Sequence, residues 1–176
     1  LVILVDLDGT VVHYDFPKLI KKWFKVEVPD KLIQCYSLEE ALGVPTALIA
    51  EMFEAAVFYE PEFVPGALAA LRSFISNGHE VGIYSNRLIW MTTGELSGWM
   101  EKHSIPYTGI ETNKTLPSYV HAFVDDSPVK LMNVDYTIEV KNLILLDQPW
   151  NRKCLNIMGR MQRAKNWAQV RGIIKG

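Results

Sequence analysis

LVILVDLDGT, residues 1–10, decides how the rest of the chain is read. Five apolar residues, Leu1 to Val5, form a short unbroken run. That is the pattern of a strand buried on both faces of a parallel sheet. The run ends in Asp6-Leu7-Asp8, two carboxylates one residue apart, with Gly9 behind them. Ligands of an open parallel sheet bind beyond the carboxyl ends of its strands, which is where this pair falls. The same residues also suit a turn and helix cap, with the carboxylates accepting backbone N–H groups.

Further along, short apolar runs alternate with helical patterns, as in a parallel sheet with crossover helices. Glu80–Tyr84, Ala122–Val124 and Leu143–Leu146 are predicted strands. Leu68, Leu71, Phe74 and Ile75 share one helical face, and Asn77-Gly78 stops that helix. Thr92–His103 and Asn166–Ile174 are predicted helices. Residues 14–63 break the rhythm. Pro17 opens a helix through Lys18–Phe24, Ser37-Leu38-Glu39-Glu40 has capping-box spacing, Gly43 follows as a stop, and Pro45 opens a second helix. The expected organisation is therefore an α/β, Rossmann-like three-layer core, residues 1–13 and 64–176, with a small helical cap inserted at 14–63.

Polar groups recur at corresponding strand ends. Ser85-Asn86 follows EVGIY, Asp125-Asp126 follows AFV, Asp147 follows LILL, and Lys114 lies in a loop leading into the third strand. Carboxylates brought together repel, so a positive partner belongs among them. Mg²⁺ suits this set, because it takes oxygen ligands and often binds one or two carboxylates plus a phosphate. A carboxylate attacks phosphorus to give an aspartyl phosphate. A second carboxyl two residues on serves as general acid, then base. Gly9 lets the backbone turn sharply and approach a phosphate. A serine hydroxyl and a lysine ammonium suit the equatorial oxygens.

DLDGT resembles the first motif of the haloacid dehalogenase (HAD) superfamily; IYSN, Lys114 and FVDD resemble its second, third and fourth, in the same order. The resemblance implies Asp6 as nucleophile and Asp8 as general acid/base, with the Asp8 main-chain oxygen on Mg²⁺. It implies Ser85, Asn86, Lys114 and Gly9 at the phosphate. It implies Asp125 and Asp126 at the metal, with Asp126 the direct ligand of choice. An aspartate at position 8 favours a phosphatase over a dehalogenase. EPEFVPGALAALRSF, TNKTLPSYVHAFVDDSP and LLDQPWNR are similar to stretches of the 5'(3')-deoxyribonucleotidases, which implies nucleoside monophosphate substrates. Two positions depart from that family: Thr10, where valine is common, and Arg87, where proline is often found.

Net charge is −2, and no basic stripe argues for nucleic acid. No apolar run approaches the ~20 residues of a membrane span. Cys35 and Cys154 form no CxxC or zinc pattern and fit a reducing, cytoplasmic setting. Trp23, Phe24, Phe53, Phe58 and Tyr59 in the insertion are aromatics of the kind that pack cores; Phe58 or Tyr59 is the candidate base contact. The alternatives are a phosphatase for another small phosphate such as a sugar phosphate, a nucleic-acid end phosphatase, and a non-catalytic ligand-binding protein. A homodimer through the cap or a sheet edge is left open by the sequence.

Overall fold

Strand β1, Val2–Val5, lies at the middle of a six-stranded sheet. A computed structural model of the chain describes residues 1–13, 15–25, 27, 45, 47–48, 51–52, 61–152 and 159–175. The elements that follow β1 are β2 (Val12–His13), α1 (Phe16–Phe24), β3 (Glu62–Phe63), α2 (Ala67–Ser76) and β4 (Glu80–Ile83). Then come α3 (Thr93–Lys102), β5 (Gly109–Ile110), β6 (Tyr119–Asp125), α4 (Pro128–Thr137), β7 (Glu139–Leu146), β8 (Met161–Ala164) and α5 (Trp167–Lys175). The sheet order is β5-β4-β1-β6-β7-β8, and every neighbouring pair is parallel. This is the expected α/β, Rossmann-like arrangement.

The apolar run of β1 is explained by its position. Ile3 pairs with Val81 of β4 and with Ala122 of β6, so both edges are hydrogen-bonded. Both faces are covered too, because side chains alternate along a strand. Ile3 and Val5 pack with Leu71, Phe74, Leu96, Met100 and Trp167, from α2, α3 and α5. Leu4 packs on the other face with Phe123, Leu131, Val134 and Leu143, under α4. Ile3, Leu4 and Val5 are fully buried, each worth about 1.5–3 kcal/mol of transfer free energy. A helix layer, the sheet and a second helix layer result.

The predicted elements are present, with shifted ends. β6 and β7 begin earlier than their apolar cores, and Tyr84 lies just past β4. Helix α3 starts at a capping box in which Thr92 and Glu95 exchange hydrogen bonds. The edge strands β5 and β8 were not predicted. β8 reads MQRA with its two middle residues exposed, and β5 is only two residues long, so neither carries a buried apolar run.

Strands β2 and β3 pair antiparallel, Val12 with Phe63 and His13 with Glu62, at the two ends of segment 14–61. Helix α1 matches the helix predicted from Pro17, with the Asp15 side chain accepting from Lys18 N–H at 3.1 Å. The capping box at 37–40, Gly43, Phe53, Phe58, Tyr59, both cysteines and most of the second predicted helix lie outside the described residues.

Candidate active site

The end of β1 is held in register by Asp6 N–H, which donates to Val124 O at 3.0 Å. The chain then turns tightly: the N–H groups of Thr10, Val11 and Val12 all point to Leu7 O. Gly9 makes the turn with φ +80°, and a Cβ there would collide with the Asp126 carboxylate. The glycine is thus required twice, for its backbone conformation and for close approach. Gly9→Ala is expected to lower stability by about 1–3 kcal/mol, read as a drop in Tm; an unchanged Tm would show that the turn relaxes freely.

DDSPVK, residues 125–130, folds locally in a way that delivers a cation. Asp125 Oδ1 accepts from Ser127 N–H at 2.7 Å. Ser127 caps α4 by accepting from Lys130 N–H at 3.2 Å, and Pro128 occupies the first turn. Lys130 therefore rises from the first turn of α4 back over the strand ends. Its Nζ donates to Asp6 Oδ1 at 2.5 Å and to Tyr84 O at 2.7 Å, and lies 3.3 Å from Asp125 Oδ2. This cation ties the ends of β1, β4 and β6 together.

Asp6, Asp125 and Asp126 are all buried, and one oxygen from each lies within 4.8 Å of the others. Burial pushes Asp6 up to about 8; Lys130 opposes the rise, and Asp125 and Asp8 add to it. Burial likewise raises Asp125, and raises Asp126 well above the carboxylate range with help from Asp125 and Asp6. Burial alone would lower Lys130, but Asp125 and Asp6 overcome it and carry the ammonium upward. Three desolvated carboxylates thus face one ammonium. Burial favours protons on these carboxylates, a divalent cation would take the place of those protons, and an all-oxygen donor set suits Mg²⁺.

Two loops support this cluster. After β7, Trp150 Nε1 donates to Asp126 Oδ2 at 2.5 Å, and Asn151 Nδ2 donates to Asp126 O at 2.9 Å. Gln148 Nε2 donates to Gly9 O at 2.5 Å, and Arg163 holds Asp147 and Asn151 from β8. After β4, Ser85 is buried and its Oγ accepts from Arg87 N–H at 3.2 Å. Arg87 is fully buried and grips Asp8 through two nitrogens.

The structure thus brings Asp6, Asp8, Gly9, Ser85, Asp125 and Asp126 to one edge of the sheet. Asn86 is exposed beside Ser85. Lys114 is exposed on the loop before β6, and among the described residues no hydrogen bond or ion pair joins its ammonium to the cluster. Its neighbour Asn113 accepts from Tyr84 OH at 2.5 Å, which fastens that loop beside the strand ends. Sequence reading marked Arg87 as a departure and Lys130 as a competitor for the role of Lys114, and it assigned no contact in the site to Gln148 or Trp150. A cation in the first turn of a helix opposes the helix dipole, and that was the available signal for Lys130.

The fold is that of HAD-superfamily hydrolases. A HAD-superfamily hydrolase from Ehrlichia chaffeensis is 12% identical, with a TM-score of 0.59 over 99% of this chain and 95% of that one. A predicted phosphoglycolate phosphatase from Haemophilus somnus is 12% identical, with a TM-score of 0.61 over 98% and 96%. CbbY from Rhodobacter sphaeroides, in complex with xylulose-(1,5)bisphosphate, is 12% identical, with a TM-score of 0.54 over 96% and 95%. At such identities the likeness is one of fold. No curated protein matches the chain. The model of the family "5' nucleotidase, deoxy (Pyrimidine), cytosolic type C protein" (NT5C) matches residues 1–176, and the chain belongs to that family. It is a phosphoric monoester hydrolase of the 5'-nucleotidase-like kind.

Proposed function

We propose that the chain is a Mg²⁺-dependent 5'(3')-deoxyribonucleotidase that releases phosphate from nucleoside monophosphates through an aspartyl phosphate on Asp6. The observation that carries this reading is the buried Asp6, Asp125 and Asp126 cluster with Lys130 against the nucleophile. Family membership supports the deoxynucleotide class and a cytosolic setting. Residues 14–63 serve as the cap over the core's site, with Phe58 or Tyr59 as the base contact. Among the described residues no helix is long and apolar enough to cross a membrane.

Asp6, the Asp8 main-chain oxygen and Asp126 would hold the metal. Asp125 Oδ1 accepts from Ser127 N–H and its Oδ2 faces Lys130, so it acts at one remove. Mg²⁺ held there would supply positive charge against the phosphate. An Asp6 carboxylate oxygen forms the new bond to phosphorus as the ester P–O bond breaks. The leaving oxygen takes a proton from Asp8. Water then attacks the aspartyl phosphate, gives its proton to Asp8 and frees Asp6 and inorganic phosphate. Ser85, Asn86, Lys114 and the Gly9 turn bind the phosphoryl oxygens, and Lys130 holds Asp6 in line.

The test is phosphate release at neutral pH from 5'- and 3'-deoxynucleoside monophosphates, ribonucleotides and sugar phosphates, with Mg²⁺ and with EDTA. Release concentrated on deoxynucleotides and lost with EDTA is expected. Release from sugar phosphates alone would keep the mechanism and discard the nucleotidase assignment. A second measurement addresses Trp150, whose indole N–H fixes Asp126 Oδ2. Trp150→Phe is expected to weaken Mg²⁺ binding by about 10–100-fold in calorimetric titration, the usual cost of losing a group that orients a ligand. Unchanged affinity would remove Trp150 from the metal site.

A further inference from the structure

We infer that Arg87 is the positioning residue for Asp8, holding the proton-transferring carboxyl in the one orientation the chemical step uses; this rests on the reading of Asp8 as general acid/base. Arg87 Nε donates to Asp8 Oδ2 at 2.9 Å and Nη2 donates to Asp8 Oδ1 at 2.7 Å. Two parallel bonds from a planar fork fix the plane of a carboxylate, which a single contact does not. The Arg87 side chain is itself fully buried, against 30% exposure for Asp8. Its guanidinium carbon sits 3.9 Å from the centre of the Trp99 ring on α3, a stack that fixes the plane of the fork. Its backbone N–H bonds to Ser85 Oγ, so the residue that aims Asp8 is built into the loop proposed to bind phosphate.

Such a clamp has a reason. Asp8 opens the tight turn and is more exposed than Asp6, and the fork selects one of the rotamers open to its side chain. A general acid must lie within hydrogen-bond reach of the leaving oxygen at the moment of bond cleavage. Lysine does not replace this function, because an ammonium is a point charge on a flexible stem, with neither fork nor flat face. One of the two positions that depart from the family pattern in sequence is thus the one that organises the proton donor.

The role is tested by leaving-group dependence. Wild type, Arg87→Met and Arg87→Lys are compared with Mg²⁺ on a nucleoside 5'-monophosphate, whose alkoxide needs a proton, and on p-nitrophenyl phosphate, whose phenolate does not. In single turnovers with enzyme in excess, release of nucleoside from the nucleotide is expected to slow by about 10²-fold or more in both variants, within the range a general acid supplies. Release of nitrophenolate from the aryl ester, read in the same way before the Asp8-assisted hydrolysis of the aspartyl phosphate that both esters share, is expected to slow by less than about fivefold. Equal losses on the two esters, or full rescue by Arg87→Lys, would overturn the role. Should Arg87→Met fail to fold, Trp99→Leu keeps Arg87 and removes its stack; it is expected to give the same split with smaller amplitude, and equal losses would again overturn the role. A wild type that releases phosphate from neither ester defeats the nucleotidase reading itself, and this role with it. An active wild type with uniform losses defeats only the role.

Discussion

Asp6→Asn is expected to reduce phosphate release by at least about 10³-fold while leaving a folded protein, the signature of a lost nucleophile. The amide keeps the shape of the side chain and one acceptor oxygen for Lys130, but it does not attack phosphorus. The structural cost should be small for a stated reason. Asp6 is buried beside Asp125 and Asp126, and burial already opposes its charge. Replacing a charge that burial disfavours removes repulsion, and Lys130 keeps Asp125 and Tyr84 O as partners. Tm without metal should therefore hold within a few degrees or rise, by about the amount of a modest surface change. Scanning calorimetry and a phosphate-release assay on the same preparation check both halves. Full activity in this variant would sink the nucleophile assignment. Loss of both activity and fold would show that Asp6 is needed to anchor Lys130.

The buried strands were legible because burial on both faces leaves an unbroken apolar run, and β1, β4, β6 and β7 each have one. Their acidic or hydroxyl ends were legible for the same reason: a polar residue directly after such a run falls at the ligand-binding edge. Strand β8 hid because an edge strand with exposed Gln162 and Arg163 has no such run. Lys130 ranked behind Lys114 because its sequence neighbourhood is that of any lysine early in a helix; only the crossing of β6 beside β1 brings it to Asp6. Arg87 stood out in sequence as an anomaly without a partner, since Asp8 is 79 positions away. Trp150 reaches Asp126 across 24 positions, and Gln148 reaches Gly9 across 139. Chemistry borne by strand ends can be read from a sequence; the side chains that hold it in place come from elements whose meeting only the topology decides.

Two lysines separate the sequence reading from the geometry, and substituting each in turn gives the second large effect. Lys130→Met leaves Asp6 and Asp125 buried without their ammonium. Breaking a buried ion pair from one side costs about 3–5 kcal/mol, because the remaining charge stays desolvated. In a chain of this size each kcal/mol moves Tm by about 2–4 °C, so a fall of roughly 10 °C is expected without metal. Mg²⁺ should recover part of that fall, since it supplies positive charge to the same carboxylates. It should not recover turnover, with kcat down about 10²-fold or more, because Asp6 loses the contact that holds it in line. Lys114→Met removes an exposed charge that touches none of the cluster, so stability should stay within about 0.5 kcal/mol of wild type. If its loop, fastened to Tyr84 through Asn113, carries Lys114 to the phosphate, KM should rise about tenfold with kcat little changed. A Lys130→Met protein with wild-type Tm and kcat would hand the lysine role to Lys114. A Lys114→Met protein with unchanged KM would leave Lys130 as the lysine of the site, in which case one ammonium beside Asp6 does the work that the family pattern assigns to the loop.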